Sequence, residues 1–413
     1  MSRGGSTNWV GFAASYWREE GDWLVDDLKI GVIGSGGRGG LARYAHRPEE
    51  GSRVVACCDV DERVFDKNRA WYGRDVWTTT DYRELLRQDL DAVFVTTPDY
   101  LHEEHAVAAL EAGKAVYLEK PMAITIDGCD RILRTARDHR AKLYVGHNMR
   151  HFPVVLQMKE LIDGGPIGQV KVAWCRHFVS YGGDAYFKDW HADRSKTTGL
   201  LLQKGAHDID VLHWLCGGYA ESVVAMGGLT LYGQITDRHA TSERGDASFV
   251  EGNWPPLTQR GLNPVVDVED VSMVLMRLDN GVLASYQQCH YTPDAWRNYV
   301  VIGTEGRIEN FGDGISEDSC VRLWNKRADG YRAEGDEVFR LAHREGGHGG
   351  GDVSIVAEFL GYVRGGGPTR TSPIAARYSV AAGHMATESL RKGSVPVSVP
   401  RLDGELLEYF GEG

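Results

Sequence analysis

The chain has 413 residues, 42% hydrophobic and 25% charged, long enough for two domains with a core each. Its 46 Lys and Arg against 58 Asp and Glu leave a net charge of −12, which argues against nucleic acid or an anionic membrane as partner. Seven cysteines without a C-x-x-C frame neither a disulfide scaffold nor a zinc knuckle, so a reducing, cytoplasmic setting is expected. No segment is apolar for long enough to span a bilayer, and the stretch 9–17 lacks the basic start and cleavage site of a signal peptide.

Residues 1–27 form an N-terminal extension, either a disordered leader or an arm packing on another subunit. Trp9, Phe12, Tyr16, Trp17 and Trp23 are many aromatics for a purely solvated tail. From 28 to 148, strands are expected at 29–34, 53–59, 92–97, 115–119 and 143–146, and helices at 62–72, 81–87, 103–112 and 125–140. The strand runs are continuously apolar, as required when both faces of a sheet are covered. They predict a Rossmann-type, doubly wound parallel sheet with its ligand edge at the carboxyl ends of the strands.

The first strand runs straight into Gly34-x-Gly36-x-x-Gly39, with a helix-compatible stretch at 41–46 behind it. Gly34 permits the tight turn, Gly36 lets the backbone approach a pyrophosphate, and Gly39 lets helix and strand pack closely. Gly37 and Arg38 lie inside that turn, where unpaired N–H groups favour an anion. Asp59, 20 residues past Gly39, is placed to hold the adenosine ribose and to repel a 2′-phosphate. NAD is therefore the expected cofactor. Thr97-Pro98-Asp99 and Glu119-Lys120-Pro121 fall at two further strand ends on the same edge.

After 149 the pattern changes. A helix at 154–162 is followed by strand-like runs at 169–178, 221–230, 270–278, 281–291, 299–303 and 320–325. One apolar helix at 202–215 interrupts them, and helices at 355–364 and 374–392 follow. Asp279-Asn280-Gly281 marks an antiparallel hairpin. Residues 149–413 should thus form an α+β domain with a large, mostly antiparallel, open-faced sheet. Its helices cover one face, and another subunit is expected on the other, giving a homodimer or homotetramer. Residues 233–266 read as a long polar loop.

On the apolar helix, Gln203, His207 and Asp210 are four and three residues apart and share a face. His207 is a candidate acid/base. His213 lies about 120° round that helix from His207, so no metal site is expected. Asn148 and Arg150 follow the last strand of the first sheet, and Trp190, His191, Asp193 and Arg194 precede the helix, where substrate-covering residues would sit. His348-Gly349-Gly350-Gly351-Asp352 opens a helix, as either a flexible substrate flap or an N-terminal cap in which Asp352 accepts N–H bonds.

Gly34-x-Gly36-x-x-Gly39, Thr97-Pro98-Asp99-x-x-His102, Glu119-Lys120-Pro121 and Gly205-x-His207-x-x-Asp210-x-x-x-Trp214 together resemble the Gfo/Idh/MocA oxidoreductases, in order and spacing, over roughly residues 28–400. The resemblance implies a Rossmann domain followed by an open-faced sheet domain used in oligomerisation. It also implies NAD(P)-dependent oxidation or reduction of a sugar, inositol or related polyol. Lys120 and His207 are then the catalytic pair, and Thr97, Pro98, His102, Glu119 and Lys120 join the glycine turn and Asp59 around NAD. Gln203, Lys204, Asp210, Arg150, Asn148 and Trp190 are expected at the carbohydrate-like substrate. One departure stands out: the family usually has Asp where this chain has Gln203, and Lys204 is a cation many relatives lack. Gln cannot ionise or share a proton with His207. Two alternatives stay open: an NAD-dependent glycoside hydrolase working by transient ring oxidation and elimination, and a non-catalytic sugar- or dinucleotide-sensing protein.

Overall fold

A computed structural model describes residues 27–240, 248–313, 318–341 and 346–411. The N-terminal extension lies outside them, apart from Asp27. Six parallel strands form the first sheet: β1 (Leu28–Ile33), β2 (Ser52–Cys58), β3 (Trp77–Thr79), β4 (Ala92–Val95), β5 (Ala115–Leu118) and β6 (Leu143–Val145). Their order is β3-β2-β1-β4-β5-β6, so the chain reverses direction across the sheet between β1 and β4. Ligands bind at that crevice in doubly wound sheets. The strands β4, β5 and β6 are buried at every position, which follows from helices covering both faces.

The second sheet has nine strands among the described residues, in the order β14-β13-β12-β11-β7-β10-β9-β8-β15. They are β7 (Val170–Phe178), β8 (Ala220–Gly228), β9 (Val271–Leu278), β10 (Leu283–Cys289), β11 (Trp296–Gly303), β12 (Arg307–Phe311), β13 (Cys320–Trp324), β14 (Glu337–Arg340) and β15 (Val397–Ser398). All neighbours pair antiparallel except β7 with β10. The helices Pro153–Asp163, Gly205–Cys216 and Pro373–Arg391 bury one face. The other face keeps Met226, Met273, Leu275 and Leu283 at 66, 54, 62 and 48% exposure.

Three expectations need correction. The helix expected at 202–215 is two: Leu200–Gln203 and Gly205–Cys216, broken at Lys204. Gly205 lies against the ring of Tyr286, where an added Cβ would come within 3.0 Å. Strands β3, β12, β14 and β15, short and without apolar runs, were not expected. The C-terminal chain also does not stay with the second sheet. Ile355, Val356, Phe359 and Leu360 from the helix Gly351–Gly365 join the core of β1, β4, β5 and β6. Phe359 meets Phe94 and Tyr117 edge-on, at 5.2 and 5.5 Å between centroids. Among the described residues no helix is long and apolar enough to cross a membrane.

Candidate active site

The glycine turn is built as its sequence demands. Gly34 has φ +83°, and a Cβ on Gly39 would sit 2.3 Å from the Gly34 carbonyl oxygen, so neither position accepts a side chain. Gly39 N–H donates to Gly36 O and opens a tight 3-10 helix, Gly37–Ala45, in place of the later helix expected at 41–46. The N–H groups of Gly37 and Arg38 have no acceptor among the described residues, and a Cβ on Gly37 would meet nothing within 4 Å. Two free donors beside an open approach fit a diphosphate. Asp59, at the end of β2, accepts from Gly36 N–H at 2.8 Å and from Asp61 N–H at 3.0 Å. Its carboxylate is thereby fixed beside the turn and still partly exposed. These residues fit NAD.

Arg38 leaves that turn sideways. Its Nε donates to Glu119 at 2.6 Å, and its two terminal nitrogens donate to Asp352 at 2.8 and 2.9 Å. Asp352 is therefore not a helix cap; it also accepts from Asn148 Nδ2 at 2.9 Å and lies 2.8 Å from His348 Nδ1. Burial alone would raise its pKa, but His348 and Arg38 hold it well below the usual carboxylate range. The guanidinium thus ties the glycine turn, the end of β5 and the C-terminal helix together. His102 fixes the neighbouring strand end: its ring nitrogens lie 2.6 Å from Pro121 O and 2.9 Å from Thr97 O. Thr97 Oγ1 lies 3.1 Å from His105, and Pro98 precedes the turn Asp99–Leu101.

Lys120 follows β5, and its Nζ donates to Gln203 O at 3.3 Å, bridging the first sheet's edge to the second domain's helices. Burial lowers its pKa to about 8; Asp99 opposes that shift and Lys204 adds to it. His207 points into the same cleft and keeps part of its surface exposed. Burial, then Lys120 and Lys204, pull its pKa well below the ordinary value, so the imidazole is neutral at pH 7. His207 Nδ1 is enclosed and has no hydrogen-bond partner among the described residues. Gln203 Oε1 and one carboxyl oxygen of Asp99 are in the same state, and burial pushes the Asp99 carboxyl up. Polar atoms gathered unsatisfied at one cleft leave hydrogen-bonding capacity there for a ligand or ordered water.

Other expected substrate contacts are placed differently. Arg150 and Asp210 hold each other through two 2.8 Å hydrogen bonds, and Arg150 also donates to Arg370 O. Both are buried, so they brace the cleft from behind instead of facing it. Trp190 stacks on His191 with centroids 3.7 Å apart and meets Tyr100 edge-on. Asp193 caps the helix Arg194–Thr197, and Arg194 pairs with Asp267 at 3.0 Å.

Sequence reading missed a cluster under His207. Asp208, one residue on and fully buried, accepts from Arg297 Nε at 2.9 Å, from Tyr286 Oη at 3.0 Å and from Tyr299 Oη, with His177 Nδ1 at 3.1 Å. Burial would raise its pKa, but Arg297 and His177 hold it far below the carboxylate range. His147 was also missed. It follows β6, sits 6.4 Å from the His207 ring centre, and has Nδ1 3.6 Å from Asp210. The strand-end rule that singled out Asp59 would have found it.

A parallel sheet with a donor-rich glycine turn, and a lysine and neutral histidine facing each other across its carboxyl edge, define a dinucleotide-dependent oxidoreductase. The chain belongs to the Gfo/Idh/MocA oxidoreductase family: residues 28–147 match its NAD-binding Rossmann fold and residues 159–399 its C-terminal alpha/beta domain. The putative oxidoreductase YteT of Bacillus subtilis is 26% identical over 322 residues, 68% of this chain and 74% of that protein. The inositol 2-dehydrogenase of Ralstonia nicotianae is 34% identical over 227 residues, which take in 54% of this chain and 63% of that enzyme. Among solved structures, levoglucosan dehydrogenase in complex with NADH and levoglucosan has the same fold, with a TM-score of 0.73 at 21% identity over 91% of this chain and 100% of that one.

Proposed function

We propose that the protein is an NAD-dependent dehydrogenase or reductase acting on a hydroxyl or ketone of a sugar, cyclitol or sugar derivative. The observation that carries this reading is the meeting of Lys120, with its pKa near 8, and the unpartnered, neutral His207 beside the glycine turn. Bound NAD supplies the hydride acceptor. Neutral Lys120, with His207, takes up the hydroxyl proton, and the resulting ammonium stabilises the alkoxide until the carbinol hydrogen leaves as hydride and the carbon becomes a carbonyl. Gln203 and Lys204 contact the substrate, while Asn148, Arg150 and Asp210 keep that wall in place. Dehydrogenases named for inositol and levoglucosan among its relatives support a polyol substrate.

The half-uncovered second sheet supports a homo-oligomer, and seven cysteines without a disulfide support a reducing, cytoplasmic compartment. A panel of sugars, cyclitols and aryl glycosides, followed by NADH absorbance and aglycone release together, tests the proposal. Net NADH is expected. Aglycone release without net NADH would replace it with transient-redox hydrolysis, and cofactor binding with neither signal would leave a sensor.

A further inference from the structure

Lys204 occupies the break between Leu200–Gln203 and Gly205–Cys216, and only 7% of it is exposed. Its Nζ donates to Tyr181 Oη at 3.3 Å and lies 5.4 and 5.2 Å from the ring centres of Tyr181 and Tyr186. Among the described residues no carboxylate lies within 4 Å of it. Asp208 is matched with Arg297 and His177, and Glu119 with Arg38, while burial pushes Asp99, on the Lys120 side of the cleft, towards its neutral form. Gln203 brings no charge. Lys120 is near enough for Lys204 to depress its pKa, and burial, with Arg297 nearby and Asp208 opposing, lowers that of Lys204 to about 7, so two lysine amines share one cleft.

A buried ammonium with no carboxylate in contact is costly, two aromatic faces offset only part of that cost, and the low pKa of Lys204 is its expression. The arrangement becomes favourable when the ligand brings the anion. Tyr181 sharpens the point. Its oxygen accepts from Lys204, so its own O–H remains available to donate, and ammonium and phenol together offer two adjacent donors for the two oxygens of a carboxylate. A phosphate would bring more oxygens and more charge than this corner can meet.

Resting on the dehydrogenase reading of the cleft, we propose that the substrate is a sugar acid, whose carboxylate is bound by Lys204 and Tyr181 while its reacting carbinol faces Lys120 and His207. The test uses the full chain loaded with NAD. D-glucuronate and D-galacturonate are compared with D-glucose, D-galactose and the methyl esters of the two acids, by calorimetric binding and by NADH formation. At least one acid should be favoured over its neutral partners by about tenfold or more, the scale of a hydrogen bond to a charged group. Lys204→Met should bring that ratio close to one, Lys204→Arg should keep most of it, and Tyr181→Phe should reduce it.

Turnover of neutral sugars with no preference for the acids overturns the inference and leaves the dehydrogenase reading standing. Selective, Lys204-dependent binding of an acid without NADH formation supports the inference and removes that reading. A preference that survives both Lys204→Met and Tyr181→Phe, or failure of both acids to bind, overturns the inference. Should Lys204→Met not fold, Lys204→Arg and Tyr181→Phe decide the matter.

Discussion

The two sheets use their surfaces in opposite ways. In the first, helices cover both faces, β4, β5 and β6 are buried throughout, and polar groups gather at the carboxyl edge. In the second, one face lies under helices and the other is open, so residues along a strand alternate buried with exposed, as β9 shows. Asp208, Arg297, His177 and Tyr286 lie on the covered side, directly behind His207. The first sheet therefore offers chemistry along a line, whereas the second supports it from beneath. The difference teaches that an edge site can be assembled from local motifs, but a site backed by a sheet face needs residues far apart in sequence.

Breaking the edge should have the largest effect. His207→Ala is expected to lower the rate by about 10² to 10⁴ through lost acid/base assistance. Lys120→Ala should cost on the order of 10² to 10³, and the double variant little more than the worse single one if the pair acts as a unit. Steady-state kinetics with NAD affinity measured in parallel separates this from cofactor loss; full activity in either single variant would mean the site is misplaced. Breaking the support should act on folding instead. Arg297→Met removes the guanidinium that neutralises buried Asp208 and leaves it only Tyr286, Tyr299 and His177, which should cost about 3 to 5 kcal/mol in denaturant unfolding.

The pH dependence sharpens the contrast. With Lys120 near 8, the amine is protonated below that pH and free to accept a proton above it. Oxidation measured as kcat/KM should therefore rise up to about tenfold per pH unit below 8 and level off above it. Because His207 is held neutral, no second limb should appear between pH 6 and 7. A single limb near the ordinary lysine value would remove Lys120 from the proton transfer. On the open face, Met273→Lys with Leu275→Lys should shift the protein toward monomer in light scattering. The smallest effect belongs to Asp59→Ser. It should narrow the preference for NAD over NADP by roughly fivefold, the scale of about 1 kcal/mol for two charges 4 Å apart in water.

The edge was legible because each of its parts answers to a local rule. Gly34 and Gly39 are required by a turn of six residues, and Asp59 and Lys120 sit where strands end. The break at Lys204 lies inside a segment whose apolar residues recur on both sides of it, and the close approach of Gly205 to Tyr286 comes from a strand about 80 residues on. Asp208 meets Tyr286 and Arg297 across 78 and 89 residues, and nothing in the spacing of a single sequence marks such partners. Arg38 was correctly placed on the turn, but its reach to Asp352, 314 residues on, was not visible. Strands as short as Trp77–Thr79 and Glu337–Arg340 carry too few side chains for a period to show.

The return of the helix Gly351–Gly365 to the first sheet bears on how the protein is made. When a ribosome has released residues 28–147, the nucleotide-binding half has all its strands but lacks Phe359 against Phe94 and Tyr117, and lacks Asp352 for Arg38. That half stays incomplete, with apolar surface uncovered, while some two hundred further residues emerge and build the other sheet. Final docking is then an event of high sequence separation, slow by the loop entropy it must overcome. The half-finished intermediate is where chaperone dependence and aggregation during expression should concentrate.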